Sequence, residues 1–193
     1  MNIKEFWSKR IHTLFALGIL VIGVAATAYL TAIGVTPFGQ AAPGENPQEI
    51  RVTNITDTSF TITYRTDDAV PGSVSYGTTN ANQIALDDRD QATGNPQPYN
   101  LHSMTIRTLK PATTYSYTIL SGQTTYKDKE IPFSVTTGTI ISSPPTSEVP
   151  LAGAVQLPSG EKPKEALVYV STQNGQTLST LTKANGLYVI PLN

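Results

Sequence analysis

The sequence contains no cysteine, which excludes disulfide bridges, iron–sulfur clusters and thiolate metal centres together. Histidine is nearly as scarce. His12 and His102 are the two present, too few for a histidine-rich dinuclear metal site. A Ser/His/Asp triad has His102 as its only base beyond the N-terminal segment, and no Gly-x-Ser-x-Gly elbow accompanies it. Clustered positive charge is also missing: 13 Lys plus Arg stand against 14 Asp plus Glu, with no basic stretch after residue 10. Nucleic acid is therefore not an expected partner, because phosphate binding needs concentrated cations. Together these absences lead us to expect a non-enzyme with no cofactor and no metal.

One long apolar run is present. Residues 13–35 carry no charge over 23 positions, and as a helix they would rise about 34 Å, enough to cross a bilayer core of roughly 30 Å. Lys4, Lys9 and Arg10 precede the run against a single Glu5, and the next charge is Glu45. The positive-inside rule then puts residues 1–12 in the cytoplasm and everything after Pro37 outside. Phe6 and Trp7 sit where an interfacial aromatic belt belongs, and His12 reads as an interfacial residue. A cleaved signal peptide is the alternative, with Ala26-Thr27-Ala28 as a small-x-small site, but the run is longer than a signal needs. Residues 36–46, with Pro43, are read as a flexible stalk.

From residue 47 the pattern changes to period two. Ile50 and Val52, then Phe60, Ile62 and Tyr64, alternate with polar residues around the turn 54–59, and further β-like runs occur at 72–76, 103–106, 114–120 and 133–137. Several short strands over residues 47–138, divided by turn signals, predict an all-β sandwich.

Residues 109–117, Leu-Lys-Pro-Ala-Thr-Thr-Tyr-Ser-Tyr, resemble the L-x-P-x-T-x-Y-x-Y signature of fibronectin type III domains. The resemblance implies that Tyr115 forms a tyrosine corner, its hydroxyl returning to the backbone upstream, with Leu109 filling the core before the turn at Pro111. Residues 58–64 are similar to that family's second strand, with Tyr64 where a tryptophan is usual. The segment 72–78, with His102 further on, looks closest to the branch at the N-terminus of purple acid phosphatases and in many bacterial surface proteins. In those enzymes the chemistry belongs to a separate, larger metallophosphatase domain, for which these residues offer no counterpart.

Three smaller features have bland readings. His102 is expected at a surface or edge strand. Asp87-Asp88-Arg89-Asp90 is read as a solvated acidic loop rather than a calcium site, because Arg89 interrupts the carboxylates. Asn54-Ile55-Thr56 fits the glycosylation acceptor pattern, which matters only in a eukaryotic source.

Residues 139–150 are read as a Pro/Ser-rich linker, and residues 151–193 carry three short β patterns, at 151–155, 166–170 and 187–190, with turns at Gly175 and Asn185-Gly186. Gly153-x-Val155, Ala166-x-Val168-x-Val170 and Thr182-x-x-x-Gly186-x-Tyr188 look like the carboxypeptidase-regulatory-like or collagen-adhesin-B-type sandwich. Such modules are longer, so this one is expected to be partial or to pack on a neighbour. The expected protein is thus a single-pass membrane protein with an extracellular C-terminal side, displaying β-sandwich modules as spacers or adhesion units toward a protein or glycan ligand. Two alternatives are an accessory part of a phosphatase-like surface hydrolase and a filament subunit that self-assembles through its apolar helix. Type IV pilins share the latter layout but carry a glutamate five residues after a cleavage glycine, which Gly18 and Gly23 lack.

Overall fold

The computed structural model describes residues 17, 18, 21, 23–25, 43–140, 142 and 149–192. The chain divides into two compact units, Met1–Gln40 and Ala41–Asn193. In the first, the described residues are helical, and Leu17, Val21 and Val24 are more than half exposed. Most of the expected span 13–35 lies outside the described residues, as does most of the linker. Among the described residues no helix is long and apolar enough to cross a membrane.

The second unit is built from strands. After a 3-10 turn at Pro43–Glu45 come β1 (Gln48–Thr53), β2 (Phe60–Val70), β3 (Gly72–Gly77), β4 (Gln83–Leu86), β5 (Tyr99–Ile106), β6 (Thr114–Ser121), β7 (Thr124–Tyr126) and β8 (Phe133–Thr136). One antiparallel sheet has the order β1-β2-β5. The other runs β4-β3-β6-β7, with β8 pairing the earlier half of β6 and β7 its later half. Alternation in β2 turns Phe60, Ile62 and Tyr64 inward, where they meet Met104 and Ile106 from β5 and Val74, Tyr115, Tyr117 and Ile119 from the facing sheet. Phe60 sits between the Tyr115 and Tyr117 rings, 6.4 Å from each. This all-β sandwich is the expected fold class. Its strand β5 begins at Tyr99, four residues earlier than the sequence pattern indicates, because Pro96 and Pro98 mask the entry.

The end of the expected stalk is attached to the sandwich. Ser121 donates its hydroxyl to the Glu45 carbonyl at 2.7 Å, and Tyr126 donates to the Asn46 side chain at 2.8 Å. Residues 43–46 therefore belong to the folded unit, and a free stalk does not extend through them.

The tail contributes β9 (Leu151–Ala154), β10 (Leu167–Ser171), β11 (Thr177–Leu181) and β12 (Leu187–Ile190). These form two two-stranded ribbons, β10-β11 and β9-β12, instead of a closed second sandwich. The β10-β11 hairpin lies on the outer face of β1-β2-β5. On that face the residues are Arg51 and Thr53 from β1, Thr61 and Thr63 from β2, and Ser103 and Thr105 from β5, in cross-strand register. Thr53, Thr61, Thr63 and Ser103 are buried, although strand periodicity alone marks them as solvent-facing.

Candidate functional site

The tyrosine corner is formed by local geometry. The Tyr115 hydroxyl accepts the Lys110 N–H at 2.9 Å, while Thr108 and Ala112 adopt left-handed backbone conformations that fold the 108–113 turn back under it. Leu109 is buried beneath. Pro111 accepts the Thr113 hydroxyl at 2.8 Å, which tightens the same turn. A second clasp is contributed by Thr137, a buried residue that the family signature does not mark. It donates to the Lys110 carbonyl at 2.7 Å and accepts the Thr113 N–H at 3.0 Å. These contacts fix the fold and present nothing to a ligand.

His102 departs from its expected surface position. It is fully buried on β5, stacked on Tyr64 with ring centroids 4.3 Å apart and planes 13° apart, and Tyr99 meets its edge. Neither imidazole nitrogen nor the Tyr64 hydroxyl makes a hydrogen bond, and the nearest charge is Asp87, 3.9 Å from Nδ1. Burial lowers the His102 pKa to about 4, against the opposing pull of Asp87, so the ring is neutral at physiological pH. The Tyr64 hydroxyl is pushed well above its usual range, first by burial and then by Asp87. Gly72 makes the pair possible: a Cβ there would fall on the Tyr64 hydroxyl and 2.7 Å from His102 Nδ1. Tyr64 thus packs face to face with His102 in the space that Gly72 leaves open. With no hydrogen-bonded acid or nucleophile and no path to solvent, His102 is placed as a packing residue.

The Asp87-Asp88-Arg89-Asp90 segment is not a solvated loop. Asp87 and Asp90 are buried, and each carboxylate is used by protein donors. Asp87 accepts the Arg89 guanidinium at 2.7 and 2.9 Å and the Ser103 N–H at 3.1 Å. Asp88 accepts the Thr105 N–H at 3.0 Å and the Thr105 and Ser103 hydroxyls at 2.8 and 3.2 Å. Asp90 accepts the Tyr99 hydroxyl at 2.8 Å and the Gln97 N–H at 2.9 Å. Tyr99, which sequence reasoning passed over, is pushed up to about 12 by burial with that hydrogen bond. The carboxylates so splayed do not converge on a cation site; among the described residues no group of three or more His, Cys, Asp or Glu is placed to hold a metal.

Arg89 links this network to the tail. Its guanidinium lies 3.4 Å over the Tyr99 ring and reaches Glu165 at 2.6 Å. Burial opposes its charge, but the hydrogen bonds it donates to Asp87 and Glu165 outweigh that and hold it more basic than usual. Around it the hairpin is fastened by further polar contacts. Thr53 and Ser179 share a hydrogen bond at 2.6 Å, and Thr63 and the Tyr169 hydroxyl share one at 2.9 Å. Arg51 lies over the Tyr169 ring at 4.7 Å. Two side-chain amides complete the interface reciprocally. Asn54 accepts the Ser179 N–H at 2.9 Å and donates to the Ser179 carbonyl at 3.0 Å; Gln176 accepts the Ile55 N–H at 2.6 Å and donates to the Ile55 carbonyl at 2.8 Å. Asn54 also donates to Thr61 at 3.1 Å, so its amide nitrogen is fully engaged and a glycan on it is incompatible with the docked hairpin.

The comparisons with known proteins bear on the sandwich. Residues 47–137 match the family model of the purple acid phosphatase N-terminal domain. Over those residues the chain is similar to that domain, a fibronectin type III-like β-sandwich. The match covers an N-terminal domain and ends at residue 137, before the tail. Among solved structures, the sensor domain of the anti-sigma factor RsgI4 of Pseudobacteroides cellulosolvens is covered completely by 52% of this chain, at 17% identity and a TM-score of 0.37. A computationally redesigned β-sandwich protein is 27% identical over 49% of this chain and 96% of its own, with a TM-score of 0.31. The FN1–FN3 domains of chicken CNTN1 are 13% identical over 74% of this chain and 53% of theirs, with a TM-score of 0.33. No curated protein matches.

Proposed function

We propose that this chain is a membrane-anchored surface protein whose β-sandwich acts as a non-catalytic spacer, display or adhesion module, with residues 1–12 cytoplasmic and the region after Pro37 outside. The observation that carries this reading is the family match of residues 47–137, since it concerns an accessory sandwich and not a catalytic domain. The chemistry of the buried groups supports it: His102 is sealed in the core, and Asp87, Asp88 and Asp90 are committed to internal donors. In such folds function resides on exposed loops and edges. The same match favours a second reading, an accessory part of a phosphatase-like surface hydrolase that works beside a catalytic domain not contained in these residues.

Protease added to intact cells is expected to digest the region after Pro37 and leave a membrane-bound stub; complete protection, or a soluble form starting near Tyr29, would refute the topology. The full chain in mild detergent is expected to show no phosphatase turnover with added divalent metals. Metal-dependent turnover that persists through repurification and vanishes in His102→Ala would overturn the non-catalytic reading.

A further inference from the structure

A cleft of about 660 Å³ lies where the hairpin meets the outer face of the sheet β1-β2-β5, within the roughly 300–1,000 Å³ typical of small-molecule sites. We propose that it binds a saccharide carrying a carboxylate. The argument rests on the polarity of the floor and the charge of the rim.

The floor, on the sheet side, is lined by Thr61, Ser103 and Thr105. Ser103 and Thr105 both direct their protons to Asp88, and Thr61 accepts from Asn54 and shares a hydrogen bond with Thr105 at 3.2 Å. Their protons are thereby spent inside the protein, and what they present to the cleft is lone pairs. Such a floor suits a ligand that brings O–H donors. A bare sulfate brings none, whereas a sugar brings several.

The rim carries Arg107, Lys164 and Lys183. Lys164 and Lys183 are exposed and make no ion pair among the described residues, and Arg107 is 3.8 Å from Asp88. Arg89, Arg107, Lys164 and Lys183 line the cleft against two carboxylates, Asp88 beside Arg107 and Glu165 paired with Arg89. Positive charge is left in excess at the rim, which suits a ligand carboxylate and makes binding sensitive to salt. No aromatic side chain lines the cleft, so hydrogen bonds and charge, not ring stacking, set the specificity.

Because floor and wall belong to the sandwich and the tail respectively, a bound saccharide holds the two together. Occupancy and hairpin docking are then coupled, each favouring the other. The inference rests on the surface-display reading only for where the ligand is met; binding in vitro is independent of topology, so failure of one is distinguishable from failure of the other.

The test is a calorimetric titration of the full chain in mild detergent with trigalacturonate, with maltotriose as the uncharged trisaccharide and with sodium sulfate. Saturable binding of trigalacturonate is expected, at least tenfold tighter than either control and weakened by added sodium chloride. The Lys164→Glu/Lys183→Glu variant should lose at least tenfold in affinity with an unchanged urea midpoint. Saturation of ligand by backbone-amide NMR shifts at Thr105 and Thr182 would locate it to the cleft. Absence of saturable binding, equal binding of sulfate, equal binding of maltotriose, or an affinity untouched by the double variant would each overturn the proposal.

Discussion

Phe60, Ile62 and Tyr64 turn one way from β2 while Thr61 and Thr63 turn the other, yet all five are buried. The inner face is sealed by aliphatic and aromatic side chains from the facing sheet, the outer face by the β10-β11 hairpin through hydroxyl pairs, side-chain amides and an ion pair. Burial fraction is therefore a poor guide to what a contact contributes. The inner face gains from removal of apolar surface, at about 25 cal/mol per Å². The outer face exchanges hydrogen bonds to water for hydrogen bonds to protein, which nets only about 0.5–1.5 kcal/mol each. One interface defines the fold, and the other attaches the hairpin to it.

Truncation of the inner face should have the largest effect. Phe60→Ala removes a fully buried ring and is expected to cost about 3–5 kcal/mol, read as a fall in the urea midpoint with unchanged slope. A loss no greater than that of an outer-face variant would erase the distinction.

Acid is the next way to probe the inner face, through His102. Its pKa is about 4 when folded and near 6.5 when unfolded, so between those values the unfolded chain binds a proton that the folded chain refuses. Stability from this group is complete above pH 6.5 and is lost as pH falls from there toward 4, by up to about 3 kcal/mol. Urea midpoints measured across this range should fall for the parent chain and fall less for His102→Phe. Parallel curves would mean that the imidazole is not desolvated.

Tyr115→Phe sharpens the comparison inside the core, because it removes a hydroxyl and leaves the ring. The Lys110 N–H loses its partner, at an expected cost of about 1–3 kcal/mol. Tyr117→Phe should shift the urea midpoint less, since no hydrogen bond is lost with its hydroxyl of the kind that Tyr115 makes. Equal and negligible shifts would show that the corner contributes nothing to stability.

The smallest global effect is expected on the outer face. Asn54→Ala should lower overall stability by about 1 kcal/mol, while the Ser179 amide, which Asn54 caps, exchanges its hydrogen faster than those of β2. Uniform acceleration throughout the sandwich would mean that hairpin and sandwich unfold as one cooperative unit.

Most of the inner face was legible in the sequence because alternation and the tyrosine-corner signature are local. Phe60, Ile62 and Tyr64 reveal their side of β2 at a spacing of two, and Leu109 to Tyr117 carry their motif within nine residues. The outer face was not legible in this way. Thr53 and Ser179 are 126 positions apart, and a threonine paired with a distant serine has the same sequence signature as one facing water. His102 was misjudged for a related reason, since the space it occupies depends on Gly72 and Tyr64 from other strands. The Asp87–Asp90 carboxylates looked solvated because their donors lie mainly on β5 and in the proline-flanked approach to it.

The reciprocal amides of Asn54 and Gln176 have one more effect, on aggregation. A two-stranded ribbon such as β10-β11 has a free edge, and a free edge offers its N–H and C=O groups to any extended chain that comes alongside. At Ser179 both groups are already taken by the Asn54 side chain, and the neighbouring Thr177 carbonyl by the Asn54 N–H. A single asparagine in a left-handed turn, with φ of 51°, thus stands in for a missing strand and denies that stretch of edge to a second molecule. Concentrated solutions of Asn54→Ala should accordingly form β-rich oligomers at protein levels where the parent chain stays dispersed.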